Sequence, residues 1–479
     1  MRHQILSVLA ALLASTACGD LTSINNNPNG PTDVQPPSML SNAIQTVVDR
    51  VDGPNNNLDI RGGGLWVQYY AEIQYRDEDK YIVRPGVDGE WGMYSGPLED
   101  FQRMINKGVA AGVPNWEAVG RIMKSYVFSV MTDAMGDIPY SEAFQERALL
   151  TPKYDTQQAI YTALFADLAK ASQQIDPAGF GFKSGDIMYG GDMVEWRKFS
   201  NSLRLRLAMH LSNVDATTAA AQAQAAVAAG VFTSNADNAQ LMYLASAPDQ
   251  NPVYTNVHVD KRDDYGMSKT LVDSMLSWND PRLPIYAQPN DTTGAYQGLP
   301  NGLNDGAGPQ LKFISRFGTF WRETPAAPLA LLTYSEVLFL EAEAAQRGWI
   351  IDNPATLYAA AIQASMEQYG ITDTSVVNPY LRDARVQYNA ATGLTQIAYQ
   401  KWVSLFMQGM EGWTEVRRTG VPHLVPGPNA ILPEIPERLP YASNEVVLNK
   451  ANVDAAVAAQ HFASFAGLDT PLWFTGRAP

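Results

Sequence analysis

Cys18 is the only cysteine in the 479-residue chain, so no disulfide can form within it. It follows the small residues Ser15-Thr16-Ala17, behind an apolar run from Ile5 to Leu13 and a start carrying Arg2 and His3. A charged start, a short apolar core and small residues before a cut site describe an export signal. A cysteine directly after that site predicts cleavage before Cys18 and acylation of its sulfur, although Ser15 stands where such signals usually carry Leu. The apolar run is shorter than the roughly 20 helical residues that cross a hydrocarbon core. Stable anchoring takes more than one acyl chain, so the folded part would hang from a membrane surface.

The second group that could do chemistry lies between residues 53 and 100. Trp66, Tyr69, Tyr70, Tyr75, Tyr81, Trp91 and Tyr94 alternate there with Gly, Asn and Asp, among Gln68, Gln74, Arg76 and Asp77. Flat rings bury the apolar C–H faces of a sugar, and nearby amides, carboxylates or Arg take its hydroxyls. The competing reading is a core position for each ring, because most Trp and Tyr are largely buried. Glu72, Asp77, Glu78, Asp79 and Glu90 lie in the same stretch, and glycoside hydrolysis needs only two carboxylates about 5–9 Å apart. The 77–79 cluster reads as a solvated loop, however, and neither G-x-S-x-G nor a phosphate loop is present, so no catalysis is expected. Five scattered histidines without ligand spacing predict no zinc or iron. Asn301 to Asp305 lacks the spacing of a calcium loop, so no metal and no cofactor is expected.

A net charge of −15 argues against nucleic acid and against a polybasic membrane contact. With 46% hydrophobic residues the chain can bury a sizeable core.

The elements that must position these residues are mostly helices. Residues 1–17 read as the signal and 18–37 as the lipidated cysteine and a flexible tether; 38–479 read as one domain. Ser38 is expected to cap a helix whose stripe is Met39, Leu40, Ala43, Ile44, Val47, Val48 and Val51. Trp66 to Ile73 reads as a short helix, and Asp77 to Gly92 as loop. Further helices are expected over Trp116–Ala134, after Asp155 and Gln158 as a capping box, over Met193–Leu211 and over Ala219–Ala229. Thr333 with Glu336 predicts a full capping box, and Asn353-Pro354 a cap with Pro at the first helical position. The last two helices make a hairpin. Trp116-x-x-Val119-Gly120-x-x-Met123 loosely matches a tetratricopeptide helix. Segments 234–266, 279–328 and 420–447 read as long ordered loops, where function often sits.

Ordered fragments across the chain carry a family likeness. They include Asn27-Pro28-Asn29, Gly136-Asp137-Ile138-Pro139-Tyr140-Ser141-Glu142-Ala143, Trp196-Arg197-Lys198-Phe199, Asp280-Pro281-Arg282-Leu283, Glu411-Gly412-Trp413 and Arg438-Leu439-Pro440-Tyr441. From Cys18 onward the chain resembles the SusD/RagB-type nutrient-binding outer-membrane lipoproteins. The resemblance implies an all-α, tetratricopeptide-like superhelix with a loop-rich ligand-binding lobe. It implies capture of glycan fragments, or of peptides in the alternative, on the outer face of a bacterial outer membrane. The implied partner is a SusC-like TonB-dependent barrel, over which the lipoprotein closes as a lid, and no catalysis is implied. Family ligand contacts come from the early loop region and from later loops. Within those regions composition alone picks out Trp66, Tyr69, Tyr75, Arg76, Tyr81 and Trp91, with Tyr296 and Trp321. Arg417, Arg418, Arg204 and Arg206 are expected to be structural, paired with Glu411, Glu415 or Glu195.

Overall fold

The computed structural model describes residues 34–53, 58, 62–83, 91–145, 148–182 and 184–478. The signal, Cys18, most of the tether and Glu90 lie outside the described residues.

Helix α1, Pro36–Val51, buries the whole expected stripe from Met39 to Val51. It begins earlier than expected: Pro36 and Pro37 occupy the first turn, where a missing N–H costs nothing, and Ser38 lies inside the helix. Glu99–Ala111 (α2), Pro114–Met135 (α3), Gln157–Gln174 (α4), Met193–His210 (α5) and Ala216–Ala229 (α6) follow, each packed on the one before. Helices α2 and α3 touch backbone to backbone. A Cβ on Gly108 would lie 2.6 Å from the Glu117 nitrogen, and one on Gly120 would lie 2.9 Å from the Phe101 carbonyl. Helix α4 is capped by Thr156, whose hydroxyl accepts from Ala159 N–H at 3.2 Å. The expected box from Asp155 does not form, because that carboxylate accepts from the N–H groups of Tyr140 and Ser141 and fastens another turn.

After Lys269–Trp278 (α7), a second helical series runs through Tyr334–Gln346 (α8), Pro354–Glu367 (α9), Gly393–Ser404 (α10) and Gly409–Thr419 (α11). Helices α8 and α9 form the expected hairpin, and Asn353 caps α9. The two series meet where α11 packs on α3 and α8 on α5. Lys450–Ala459 (α12) closes the helical part. The fold is all-α and tetratricopeptide-like, as the sequence implied.

The loop-rich part draws on the stretch before α2 and on the long run between α6 and α8. Four short strands organise it: Tyr70–Glu72 (β1), Ala239–Leu241 (β2), Tyr265–Met267 (β3) and Leu329–Leu332 (β4). They pair antiparallel as β1 with β3 and β2 with β4, and Ala239 faces Leu332. The short helix expected over Trp66–Ile73 is instead one helical turn, Gly63–Trp66, followed by β1. The change lets Tyr70 lie opposite Met267, a pairing no local pattern announces.

Candidate functional site

The chain leaves β1 through Ile73, whose N–H still bonds the Asp264 carbonyl at 3.0 Å. The next three residues divide between solvent and interior. Gln74 and Tyr75 are exposed, Tyr75 at 61% and with φ of 56°. Arg76 turns inward and is 2% exposed. Its Nη1 donates to the carbonyls of Asn304 and Ala307, each at 2.9 Å, and so pins the loop after Asn301. Asp79 completes the pin by accepting from Asn301 Nδ2 at 2.7 Å and Gly302 N–H at 3.2 Å. Burial pushes the Asp79 carboxyl up to about 7, since those donors and Arg76 offset only part of the desolvation.

Opposite Gln74 stands the loop before β3. Asp264 accepts from Gln74 Nε2 at 2.8 Å, Asn256 Nδ2 at 3.0 Å and Arg262 Nε at 2.6 Å. Burial alone would raise this carboxyl, but the three donors outweigh it and hold it below its usual range. Lys261 and Asp263 have φ of 56° and 53°, so three non-glycine residues with positive φ gather here with Tyr75. Such backbone costs about 1–3 kcal/mol each and clusters at ligand sites. Asp263 pairs with Arg322, and His258 lies on the Tyr254 ring at 4.7 Å. The result is a rigid face carrying a ring, an amide and a guanidinium over one shared carboxylate.

The eight candidate contact residues do not form one site. Trp66, Tyr69, Arg76, Tyr81 and Trp321 are between 0% and 3% exposed, so they offer no ring face or guanidinium to a ligand in this structure. Trp66 meets Trp413 edge-on at 5.0 Å and donates to the Glu78 carbonyl. Tyr69 packs on Trp402 and bonds its carbonyl at 2.6 Å, and Trp321 lies against Tyr369 and Phe406. Trp91 is half-buried among Tyr94, Tyr154 and Tyr441, away from β1. Tyr75 remains open, and half-buried Tyr296 rises from the segment that Ser315 and Leu299 stitch to β3. Sequence reasoning missed Arg262 and His258. The run Lys261-Arg262-Asp263-Asp264 reads as an ordinary solvated charge cluster, and only the pairing of β1 with β3 brings it to Gln74.

A second cluster is interior. His210, Glu411 and Glu415 are the one group among the described residues whose donor atoms could converge on a metal. Their chemistry opposes it. His210 Nδ1 lies 3.0 Å from Asp133 Oδ2, and its Nε2 lies 3.0 Å from Glu411 Oε1. Although burial alone would lower it, these carboxylates raise the imidazole to about 9, so both nitrogens carry protons at neutral pH. Arg206, Lys401 and Arg418 already neutralise Glu411 and Glu415. The expected arginine pairs form with different partners in part. Arg206 binds Glu336 as well as Glu411, and Arg418 binds Glu343 as well as Glu415. Arg417 lies over the Trp413 ring at 3.5 Å, and Arg204 bonds Gln222. Glu336 is therefore not free to close the expected capping box, and only Thr333 contributes its half.

His210 gives a pH signature. Its folded value is raised, so its contribution is complete below about 6.5 and fades as pH rises through about 9. A shift of that size corresponds to on the order of 3 kcal/mol. The stability gap between the parent and His210→Gln is expected to shrink between pH 6.5 and 9.5 in denaturant titrations; a constant gap contradicts this.

The family profile described as SusD-like, "Starch-binding associating with outer membrane", matches residues 28–442. The chain belongs to this SusD-like family of binding proteins. A chitin-binding protein of solved structure is 28% identical, with a TM-score of 0.81 over 92% of this chain and 100% of that one. A SusD homologue from Bacteroides fragilis is 26% identical, with a TM-score of 0.79 over 93% and 100%. A chitin-binding SusD homologue from Flavobacterium johnsoniae is 25% identical, with a TM-score of 0.79 over 92% and 98%. A search of curated proteins found no match. Among the described residues no helix is long and apolar enough to cross a membrane.

Proposed function

We propose that this chain is a cell-surface lipoprotein, held by Cys18 to a bacterial outer membrane, that captures oligosaccharides and delivers them to a SusC-like TonB-dependent barrel. Chitin-derived oligosaccharides are the first candidates, given the two chitin-binding relatives. The observation that carries the ligand reading is the exposed Tyr75 ring beside Gln74 and Arg262, both locked by Asp264. A ring flanked by donors already held by Asp264 suits a hydroxylated face, and these bonds lower the ordering cost of those side chains.

The test is a melting-temperature screen of purified protein against oligosaccharides and peptides. A ligand at 100 times its dissociation constant adds about 2.7 kcal/mol. Tyr75→Ala is expected to weaken the responding glycan at least tenfold with an unchanged melting temperature, because the ring is 61% exposed. Unchanged affinity moves the site elsewhere, and a response to peptides alone reassigns the cargo. For the anchor, Cys18→Ala is expected to leave the membrane fraction; retention there contradicts lipidation.

A further inference from the structure

The fragment Gly136-Asp137-Ile138-Pro139-Tyr140 takes no part in the face around Tyr75. One of its residues, Asp137, instead lines a separate cleft of about 410 Å³ between the start of α4 and the end of α12. Asp137, Gln158, Gln460, His461, Trp473 and Arg477 are among its walls. That volume lies in the range of small-molecule sites, about 300–1,000 Å³.

Asp137 is held before any ligand arrives. Gly136 has φ of 83°, and a Cβ there would lie 2.1 Å from Gln460 Oε1, so the chain passes only as glycine. Asp137 N–H donates to Gln460 Oε1 at 3.0 Å, and its carbonyl accepts from the Tyr441 hydroxyl at 2.7 Å. The side chain is 8% exposed. Its Oδ1 accepts from Gln157 N–H at 2.8 Å. Among the described residues, Oδ2 has neither a hydrogen-bond donor nor a cation at ion-pair distance. Burial pushes this carboxyl up to about 6, which still leaves it ionised at neutral pH. Half-buried Trp473 lines the same cleft; its ring meets Tyr161 at 6.1 Å, and the Phe474 N–H that follows donates to Gln157 Oε1 at 3.1 Å.

We infer that this cleft is a second saccharide-binding site, with Asp137 Oδ2 as hydroxyl acceptor and Trp473 as the apolar wall for a sugar ring. The carboxylate oxygen is acceptor-only and open to solvent, so a sugar hydroxyl can replace water there with a charge-assisted bond. Asp137 disfavours an anion, so among sugars the site favours neutral ones; Arg477, also in the wall, is not a free cation. Arg477 is itself steadied by Glu437, 2.8 Å from Nη1. The choice of sugar probes rests on the carbohydrate reading above; the site itself stands on Asp137.

The experiment titrates N,N′-diacetylchitobiose, maltose and cellobiose by calorimetry into purified protein and into the double variant Tyr75→Ala/Arg262→Ala. Residual binding is expected in the double variant, and Asp137→Asn should weaken it at least tenfold. Asp137 also supports the start of α4, so a second variant is needed. Gln158→Trp, from an exposed position, should block the cleft with the carboxylate intact. If the unaltered protein binds a disaccharide but the double variant does not, the second site is overturned alone. Residual binding that survives both Asp137→Asn and Gln158→Trp overturns it equally. If the unaltered protein binds none of these disaccharides, this site is overturned, while the wider screen of oligosaccharides and peptides decides the carbohydrate reading separately.

Discussion

Arg418→Met is expected to lower stability by about 3–5 kcal/mol, the usual cost of removing one partner from a buried ion pair. Arg418 makes two forks at once. Its Nη1 and Nη2 donate to Glu343 at 2.7 and 2.6 Å, and its Nε and Nη2 donate to Glu415 at 3.1 and 2.7 Å. Ser212 takes a further bond at 2.7 Å. Without the guanidinium, Glu343 keeps Arg347 and Glu415 keeps Lys401, each a one-sided substitute. Arg418→Lys should recover only part of the loss, since one ammonium cannot fork to two carboxylates. Urea unfolding at pH 7 reads the effect; a loss below about 1 kcal/mol would mean that the carboxylates find protons or water cheaply. Burial alone would raise Glu343, but Arg418 holds it down to about 2. Its contribution is therefore complete above about pH 4.5 and lost only as pH falls toward 2.

Trp66→Ala has a comparable expected cost, about 3–5 kcal/mol for emptying a packed aromatic site. The ring is fully buried between Trp413 at 5.0 Å and Tyr81 at 6.1 Å. A lower melting temperature is expected, with unchanged glycan affinity for the molecules that remain folded. Tyr75→Ala should behave in the opposite way. A Trp66→Ala protein that melts like the parent but loses ligand would return Trp66 to the binding surface.

The contrast between Trp66 and Tyr75 shows where sequence reasoning stops. The α1 stripe from Met39 to Val51 was legible because its spacing repeats within one element. Caps were legible where side chain and helix are neighbours, as at Asn353. Where a distant partner competes, local rules fail: Glu336 serves Arg206, 130 positions away, rather than its own helix start. Rings fail for the same reason. A Trp in a Gly-rich stretch has one composition whether it faces solvent or Trp413, and Trp66 meets Trp413 only after the whole frame has closed. Arg262 was hidden because strand pairing, not spacing, sets it beside Gln74.

The pairing of Ala239 with Leu332 has a consequence for how such a chain changes over time. The long excursion between them leaves the frame and returns to it at neighbouring points, so its ends are fixed whatever its length. Lengthening a closed loop costs little, about 0.6 kcal/mol for each doubling. Exposed turns between β2 and β4 can therefore be lengthened while α5 and α8 keep their contact, whereas buried anchors such as Arg282, which bonds Gln400 of α10, must stay. The frame behaves as a socket: insertions at exposed turns change the loop surface without moving the anchors that hold it.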